Sequence, residues 1–296
     1  MMKPATTTLI PQLKALADPV RLRLVALCRQ GECSVSELTE VLRQSQPRIS
    51  QHLKQLVDAG LLERFRDGKR VYYRLPATRR GTVARLLDLV PEGEPLVAAD
   101  AAQLRRLRGL ETPEPAENAE PDAIDRAVHR ALLDLTITAP LGDLLDIGCG
   151  RGRMLKLLAS RAQRAVGVDI DADARQFARR ELLLAGLPNC SLRQGDMYRL
   201  PFADGEFDTI LLDGVLAGAG HPVEALTEAK RLLSRGGRLV VVEELRGRPA
   251  AEVQRALAEW SAEAGLRLGR PRLLPATRPD WTLSVATVAE RQSAAA

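Results

Sequence analysis

The chain of 296 residues is poor in aromatic side chains and cysteine and has no long apolar run. Aromatic residues make up 3% of it, and no stretch approaches the roughly 20 apolar residues that a bilayer-spanning helix needs. The first residues, MMKPATTTLIPQ, lack the basic start and apolar core of a signal peptide. Four cysteines without paired spacing do not form a disulfide framework. These absences argue against a membrane-spanning or secreted protein and favour the cytoplasm.

Positive charge is concentrated at the front of the chain. Residues 1–80 carry 15 Lys or Arg against 7 Asp or Glu, a net charge of +8, and the remainder carries a net −3. A basic front on a mildly acidic body indicates that only the front meets a polyanion.

Two stretches rich in proline and acidic residues divide the chain, PEGEPLVAAD (91–100) and LETPEPAENAEPDAID (110–125). The second is poor in large apolar residues, which is typical of an exposed linker. We therefore predict a front domain over 1–95, a helical and Pro/Glu-rich linker over 96–124, and a second domain over 125–296.

The front domain has three helix start signals. Asp18 can cap a helix that begins with a proline, and Ser34 with Glu37 three residues later forms a capping box. Ser45 is positioned to cap a third helix, QPRISQHLKQLVDAG. Its apolar residues Ile49, Leu53, Leu56 and Val57 recur at helical spacing.

The other face of this third helix carries amide and basic groups. Two helices joined by a tight turn, the second displaying such groups at its start, form a helix-turn-helix that reads DNA in the major groove. The side chains predicted to contact DNA from this helix are Ser45, Gln46, Arg48, Ser50, Gln51 and Lys54.

A β-hairpin follows in LLERFRDGKRVYYRL (61–75), where two alternating runs flank Asp67-Gly68, a strong turn signal. The alternation predicts one basic and one apolar face. The basic face has Arg64, Arg66, Arg70, Tyr72 and Arg74, and the apolar face has Phe65, Val71, Tyr73 and Leu75. A basic hairpin after a helix-turn-helix makes a winged helix, and we expect its tip to bind DNA phosphates. The predicted tip residues are Arg66, Lys69 and Arg70.

Residues 9–90 resemble the DNA-binding and dimerisation domain of ArsR/SmtB-type regulators. The resemblance is carried by ALADPVRLRLVALC, SQPRISQHLKQLVDAGLLE and RDGKRVYYRL. It implies a homodimer on a palindromic double-stranded operator, with the first helix and TRRGTVARLLDLV (78–90) packing across the dimer. His52 belongs to this pattern, and we interpret it as a partly packed polar residue rather than a metal ligand.

Metal-sensing members of that family place a Cys-x-Cys pair within the stretch that reads GECSVSEL here. The two positions are occupied by Ser34 and Ser36, and hydroxyls are poor ligands for soft metals. Cys28 and Cys33 are five residues apart with a glycine between them, so no helical face unites them. A redox-active pair of these cysteines stays an open alternative. We expect no metal site and interpret the stretch as a capping box.

The second domain opens on a glycine-rich loop between a strand and a helix, LGDLLDIGCGRGRMLKLLA (141–159). Its spacing D-x-G-x-G-x-G, starting at Asp146, lets the backbone approach a ligand where side chains would clash. A second strand, RAVGVDID (164–171), leads to Asp169, where a carboxylate can accept both hydroxyls of a ribose.

Further strands alternate with helices. They lie in LRQGDMYRLPF (192–202), EFDTILLDGVL (206–216) and LLSRGGRLVVVEEL (232–245), and two closing strands are expected in 267–289. This alternation predicts a parallel sheet with ligands at the carboxyl ends of its strands. The fold class is therefore multidomain, a mostly α-helical winged helix-turn-helix with a β-hairpin wing followed by an α/β Rossmann-like domain.

Residues 125–289 resemble a class I S-adenosylmethionine-dependent methyltransferase with a seven-stranded sheet. The D-x-G-x-G-x-G loop and the G-D-M after the third strand separate it from a nicotinamide-binding fold. By that resemblance the glycines pass beside the methionine moiety, Asp169 binds the ribose, and Asp196 accepts from the adenine amine. The residues expected to contact S-adenosylmethionine or S-adenosylhomocysteine are Asp146, Gly148, Cys149, Gly150, Gly152, Asp169, Ile170, Asp196 and Met197.

Catalytic residues are less well defined, because methyl transfer from a sulfonium depends mainly on positioning. Asp213, His221 and Tyr198 are candidate bases, and each also has an ordinary structural explanation: His221 precedes Pro222 and can lead into the next helix, and Tyr198 can serve packing. The absence of N-P-P-[FY] after the fourth strand weighs against amino-group methylation of bases or glutamine, and the cysteine set of arsenite methyltransferases is missing. Residues 96–137 would have to cover any substrate pocket.

These observations leave several functions open. The first is a transcription regulator whose methyltransferase-like domain binds S-adenosylmethionine or S-adenosylhomocysteine as an effector, similar in layout to regulators of the methionine cycle. The second is an active small-molecule methyltransferase with an autoregulatory DNA-binding domain. A metal-responsive repressor with a dormant appendage is the third and the least supported.

Overall fold

The computed structural model describes residues 6–76, 85–86, 88, 94–109 and 123–289. The chain divides into one unit formed by residues 1–114 with 179–191 and another formed by residues 115–178 with 192–296. Within the described residues, no helix is long and apolar enough to cross a membrane.

The first unit contains helices and one small antiparallel sheet. The helices are α1 (Thr6–Leu16), α2 (Pro19–Arg29), α3 (Val35–Leu42), α4 (Gln46–Asp58) and α5 (Pro95–Leu107). The strands are β1 (Cys33–Ser34), β2 (Glu63–Asp67) and β3 (Arg70–Arg74), in the order β1-β3-β2. Helices α3 and α4 form the predicted helix-turn-helix, and β2 with β3 forms the wing.

Two of the three predicted helix caps are present. Asp18 Oδ1 accepts from the Arg21 backbone N–H at 2.9 Å at the start of α2. The capping box of α3 is complete, since Glu37 N–H donates to Ser34 Oγ at 3.2 Å and Ser34 N–H donates to Glu37 Oε2 at 2.7 Å. Ser45 occupies the cap position of α4, but its side chain makes no cap hydrogen bond, so that part of the prediction is wrong.

The core of the first unit contains the predicted apolar stripe of α4. Ile49, Leu53 and Leu56 are fully buried in it. Cys28 and Cys33 lie in the same core, where a hydrogen bond between their thiols, together with burial, raises the pKa of Cys28 well above its ordinary value. As predicted, no helical face unites these cysteines, because Cys33 lies on β1, but the turn after α2 brings both thiols into one core.

The two faces of the wing differ from the prediction. Phe65 is paired with Tyr72 across the hairpin and Arg66 with Val71, so the odd positions of β2 share a face with the even positions of β3. The two residues between Asp67 and Arg70 cause this exchange, because cross-strand partners lie on the same face of a sheet. The rings of Phe65 and Tyr72 accordingly stack at 5.8 Å.

Helix α5 packs against α2 and α3 of the same unit. Asp100, 5% exposed, accepts from Arg23 Nε and Nη2, both at 2.6 Å. Arg108, directly after α5, donates to Glu37 Oε1 at 2.5 Å and to the Glu32 carbonyl at 2.8 Å. Residues 95–109 are therefore held to the helix-turn-helix. Among the described residues, the part of the expected cover (96–137) that belongs to the second unit is residues 123–137, within the helix Ala123–Thr138.

The second unit is an α/β fold. Its helices are α6 (Ala123–Thr138), α7 (Arg153–Leu158), α8 (Ala172–Leu184), α9 (Pro222–Leu232) and α10 (Ala250–Glu263). Its strands are β4 (Asp143–Ile147), β5 (Arg164–Asp169), β6 (Cys190–Gln194), β7 (Phe207–Asp213), β8 (Leu233–Glu244), β9 (Leu266–Leu268), β10 (Arg272–Leu274) and β11 (Trp281–Val288). Residues 179–191, which include the end of α8 and the start of β6, are grouped with the first unit.

The strand order β10-β11-β8-β7-β4-β5-β6 matches the expected seven-stranded sheet. Strand β4 is parallel to β5 and β7, and β11 is antiparallel to β8. The additional strand β9 pairs with β11 on the edge that also holds β10, so β9 and β10 occupy one strand position that is interrupted at 269–271. The parallel strands are buried on both faces, which explains their continuous apolar runs.

The buried ion pair between Arg108 and Glu37 yields a stability prediction. Burial alone would raise the pKa of Glu37, but Arg108 and the Ser34 hydrogen bonds outweigh it and hold the pKa below its ordinary value. We expect R108A to lower the free energy of unfolding by about 3–5 kcal/mol, because it leaves a buried carboxylate uncompensated. Urea unfolding measures this, with R105A as the control, since Arg105 is exposed on the same helix.

The loss in R108A should shrink as the pH falls. A carboxyl group whose pKa is depressed in the folded state stabilises the protein above its ordinary value of 4.5 and loses this contribution as it becomes protonated. Equal urea midpoints for R108A and the wild type at neutral pH would contradict the prediction.

Candidate DNA-contact surface and nucleoside site

The side chains predicted to contact DNA are on the surface. In and just before α4 the exposed ones are Ser45, Gln46, Arg48, Ser50, Gln51 and Lys54, and on the wing they are Arg66, Lys69 and Arg70. Because the buried stripe of α4 lies on its other face, the helix presents donors and positive charge outward. This surface suits a polyanion with acceptor groups.

His52 lies at the edge of this helix and is half-buried. Its Nδ1 is 3.8 Å from Asp18 Oδ1. The His52 imidazole, the Arg21 backbone N–H and the Arg21 guanidinium outweigh partial burial and lower the pKa of Asp18. In the part of the chain that the structure describes, no three His, Cys, Asp or Glu side chains come together as a metal ion would require.

The glycine loop between β4 and α7 has left-handed backbone at Gly148, Gly150 and Gly152, with φ of 73°, 49° and 79°. A Cβ at Gly148 would lie 2.7 Å from Val215 Cγ2, and one at Gly152 would lie 2.9 Å from Ala178 Cβ. A Cβ at Gly150 would meet nothing within 4 Å. Two glycines thus serve the packing of the loop, and the third leaves open space beside it.

Asp169, at the end of β5, holds this loop in place. Its Oδ2 accepts from the Gly150 N–H at 2.7 Å, and its Oδ1 accepts from the Asp171 N–H at 2.9 Å. The Cys149 N–H also donates to the Val168 carbonyl at 3.0 Å. Each carboxylate oxygen has a further lone pair, so Asp169 can still accept from a ligand hydroxyl.

Asp146, the fourth residue of β4, is 1% exposed, and neither of its carboxyl oxygens has a hydrogen-bond partner among the described residues. Burial, followed by the nearby Asp213 and Asp169 carboxylates, raises its pKa well above the ordinary value, and Arg153 opposes the shift. A buried polar group without a partner costs free energy, so this carboxyl group is suited to a donor from a ligand.

Two charged residues at this edge were missed in the sequence. Arg153, the first residue of α7, donates from Nη2 to Asp213 Oδ2 at 3.0 Å. Glu243, 1% exposed near the end of β8, accepts from the Leu216 N–H at 2.7 Å, and burial raises its pKa. Glu243 had a signal, since it is a charged residue that directly follows an apolar strand run, whereas nothing local marks Arg153 as a partner of Asp213.

The structure brings together two of the three candidate catalytic residues. The His221 backbone N–H donates to Tyr198 Oη at 3.2 Å, and the two rings meet edge to face at 5.8 Å. Tyr198 N–H in turn donates to Asp196 Oδ1 at 3.1 Å, which orients the exposed carboxylate. His221 immediately precedes Pro222, so it leads into α9. Asp213, the third candidate, is paired with Arg153.

The remaining predicted cofactor residues, Ile170, Met197 and Cys149, differ in exposure. Ile170 is 71% exposed directly after Asp169, an unusual position for a large apolar side chain. Met197 is half-buried and packs against the core of the second unit. Cys149 is buried, and burial raises the pKa of its thiol well above the ordinary value.

Fold and sites define a winged helix-turn-helix protein that carries a methyltransferase domain. Residues 18–64 match the family model described as bacterial regulatory protein, arsR family, and residues 145–241 match the methyltransferase domain model. The arsenic resistance transcriptional regulator ArsR1 of Pseudomonas putida is 43% identical over 96 residues, which are 32% of this chain and 75% of that protein. The chain therefore belongs to the arsR family of bacterial regulatory proteins.

Two further relatives are each similar to part of this chain. An uncharacterized 37.1 kDa protein in transposon TN4556 of Streptomyces fradiae is 34% identical over 169 residues, 52% of this chain and 47% of that protein. The demethylmenaquinone methyltransferase of Beutenbergia cavernae is 33% identical over 120 residues, 40% of this chain and 48% of that protein. The chain spans about half the length of each. The predicted joining of a regulator domain to a methyltransferase domain is confirmed.

Because the Asp146 carboxyl group has no hydrogen-bond partner among the described residues, we predict that it makes the stability of the ligand-free protein depend on pH. Because its folded-state pKa is raised, the folded protein keeps a proton that the unfolded chain releases above the ordinary value of 3.8. Below that value the group is protonated in both states and does not lower the free energy of unfolding. As the pH rises toward the folded-state pKa, the free energy of unfolding falls by up to about 1.4 kcal/mol per pH unit.

We expect the free energy of unfolding of D146N, relative to wild type, to increase as the pH rises above the ordinary value of 3.8 and to level off above the folded-state pKa, because the amide does not titrate. Urea unfolding at a series of pH values provides the measurement. D173N serves as the control, since Asp173 is exposed in the first turn of α8 and its replacement should give a flat difference. A flat difference for D146N as well would contradict the assignment.

Proposed function

We propose that this protein is a transcription regulator whose methyltransferase domain binds S-adenosylmethionine or S-adenosylhomocysteine, and that this ligand controls its affinity for operator DNA. The observation that carries the proposal is the buried Asp146 carboxyl group, which has no hydrogen-bond partner among the described residues and lies four residues before Gly150, where a Cβ would meet nothing within 4 Å. Such a regulator acts on the bacterial genome and therefore in the cytoplasm.

The nucleoside site fits such a ligand residue by residue. The α-ammonium group of its methionine moiety is a donor for Asp146, and the ribose hydroxyls are donors for the free lone pairs of Asp169. The exposed Ile170 offers an apolar face for adenine, and Asp196, oriented by Tyr198, can accept from the adenine amine. When bound, S-adenosylmethionine supplies an electrophilic methyl group, whereas S-adenosylhomocysteine supplies none.

The DNA-contact surface supports a dimer on a palindromic operator. Exposed donors on α4 and the wing suit the major groove and the flanking phosphates. On α1, Ile10 and Leu13 are 49% and 45% exposed, an apolar surface that pairing of two chains through this helix would bury. The segment 78–90, which the family resemblance places across the dimer, lies almost wholly outside the described residues.

The proposal predicts reciprocal coupling between the two ligands. If the small molecule changes DNA affinity by a given factor, DNA must change the affinity for the small molecule by the same factor, typically about 5- to 150-fold. Fluorescence anisotropy of a duplex selected from a random library by the full-length protein gives the DNA affinity, without ligand and with each ligand at saturation. Calorimetry with and without that duplex gives the reciprocal affinity.

Two variants separate the response to the small molecule from DNA binding itself. D146N should keep the ligand-free DNA affinity and lose the response to either ligand, because an amide does not carry the charge that an ammonium group requires. R48A should weaken DNA binding and keep ligand affinity. Identical DNA affinity at saturation with each ligand, while calorimetry shows both bound, would rule out the proposal.

An active methyltransferase is the second candidate, favoured by the contact between Tyr198 and His221. These rings lie on segments that follow β6 and β7, at the carboxyl ends of the parallel strands, where ligands bind in α/β folds. His221 Nδ1 also lies 3.8 Å from Glu224 Oε1. We expect labelled methyl transfer to an acceptor in cell extract to fall about 100-fold or more in H221A if His221 is the base. Absence of transfer by the wild type would remove this candidate.

A further inference from the structure

The side-chain amide of Gln55, on α4, is held in one orientation. Arg21 Nη1 donates to Gln55 Oε1 at 2.7 Å. A guanidinium group has donors only, so the oxygen of the amide must face Arg21 and its NH2 group must turn away. The contact thus leaves Gln55 with a fixed pair of outward N–H donors.

Arg21 is itself fixed by the helices around it. Its Nε donates to the Ala15 carbonyl and its Nη2 to the Lys14 carbonyl, the latter at 3.2 Å, at the end of α1. Its Nη1 also lies 3.8 Å from Asp18 Oδ2, and its side chain is only 15% exposed. The guanidinium therefore joins α1, α2 and α4 and has no freedom to follow a ligand.

Gln55 continues the row of predicted DNA contacts on α4. Arg48, Gln51 and Gln55 follow one another at spacings of three and four residues, so they form one stripe along the helix surface. All three are exposed. The fixed donors of Gln55 therefore extend a stripe that already carries a guanidinium and a free amide.

We propose that Gln55 is a further DNA-contact residue, which donates from its NH2 group to an acceptor on operator DNA, and that Arg21 is its positioning residue. The acceptor is either a phosphate oxygen or an acceptor on a base edge in the major groove. A donor oriented before binding loses little side-chain freedom in the complex, which favours affinity. This inference rests on the DNA-binding part of the proposed function and is independent of the small-molecule effector.

The test compares Q55A and Q55E in the full-length protein, using a duplex selected from a random library by the wild type. Q55E keeps an oxygen acceptor for Arg21, so thermal unfolding should stay close to wild type, but it replaces the donor with a negative charge. We expect Q55A to weaken binding about three- to tenfold, the value of one hydrogen bond, and Q55E to weaken it further. Q163E is the matched control, since Gln163 is exposed in the second unit.

A second duplex of unselected sequence distinguishes the two acceptors. Equal weakening on both duplexes assigns the contact to a phosphate, and weakening on the selected duplex alone assigns it to a base edge. If Q55A and Q55E both bind the selected duplex as tightly as wild type, the inference is overturned. If the wild type binds neither duplex, the proposed function itself fails.

A double-mutant cycle tests the positioning role of Arg21. R21A should weaken DNA binding in the wild-type background and have much less effect in the Q55A background, because the residue it orients is already absent. Equal losses in both backgrounds would show that Arg21 acts only on the stability of the fold. The Q55A and Q55E results stand by themselves if R21A folds poorly.

Discussion

Asp146 is buried at the carboxyl end of the central strand β4 without a hydrogen-bond partner among the described residues, and the nucleoside site is arranged around this unmet requirement. Arg153, a cation that opposes the rise in the pKa of Asp146, is paired with Asp213 at 3.0 Å. Asp169 meanwhile holds the glycine loop open beside it. The free protein therefore carries a destabilising group that a cationic donor would relieve, and strain or unmet polar groups of this kind are typical of functional sites.

Arginine has the opposite role in the first unit, where the side chains of Arg21, Arg23 and Arg108 are held by acceptors. Arg23 binds Asp100, and Arg108 binds Glu37, so α5 is tied to both α2 and α3. Arg21 likewise joins α1, α2 and α4. Because these cations are paired inside the unit, the positive charge available to DNA comes from other, exposed side chains such as Arg48 and Lys54. The same residue type thus stiffens the DNA-contact surface and supplies its charge.

The residues at the start of α3 both cap the helix and pack into the core of the first unit. Ser34 and Glu37 complete the capping box, which is a local device. Cys33, beside them, points into the core with Cys28, and Arg108 Nη2 approaches its Sγ at 3.7 Å. The two thiols are therefore part of the packing that supports the helix-turn-helix, and the oxygen groups at Ser34 and Ser36 leave the helix start without the paired thiolates that soft metals prefer.

The sequence by itself determined the features that depend on neighbours within a few residues. The caps at Asp18 and Ser34, the turn at Asp67-Gly68, the left-handed glycines of the loop and the exposed stripe of α4 all follow from such short-range rules. Only the tertiary structure decided that α5 binds the helix-turn-helix and that Arg153 pairs with Asp213. Those partners are 60 to 77 residues apart in the ion pairs, and their meeting depends on how the elements pack, which no local pattern encodes.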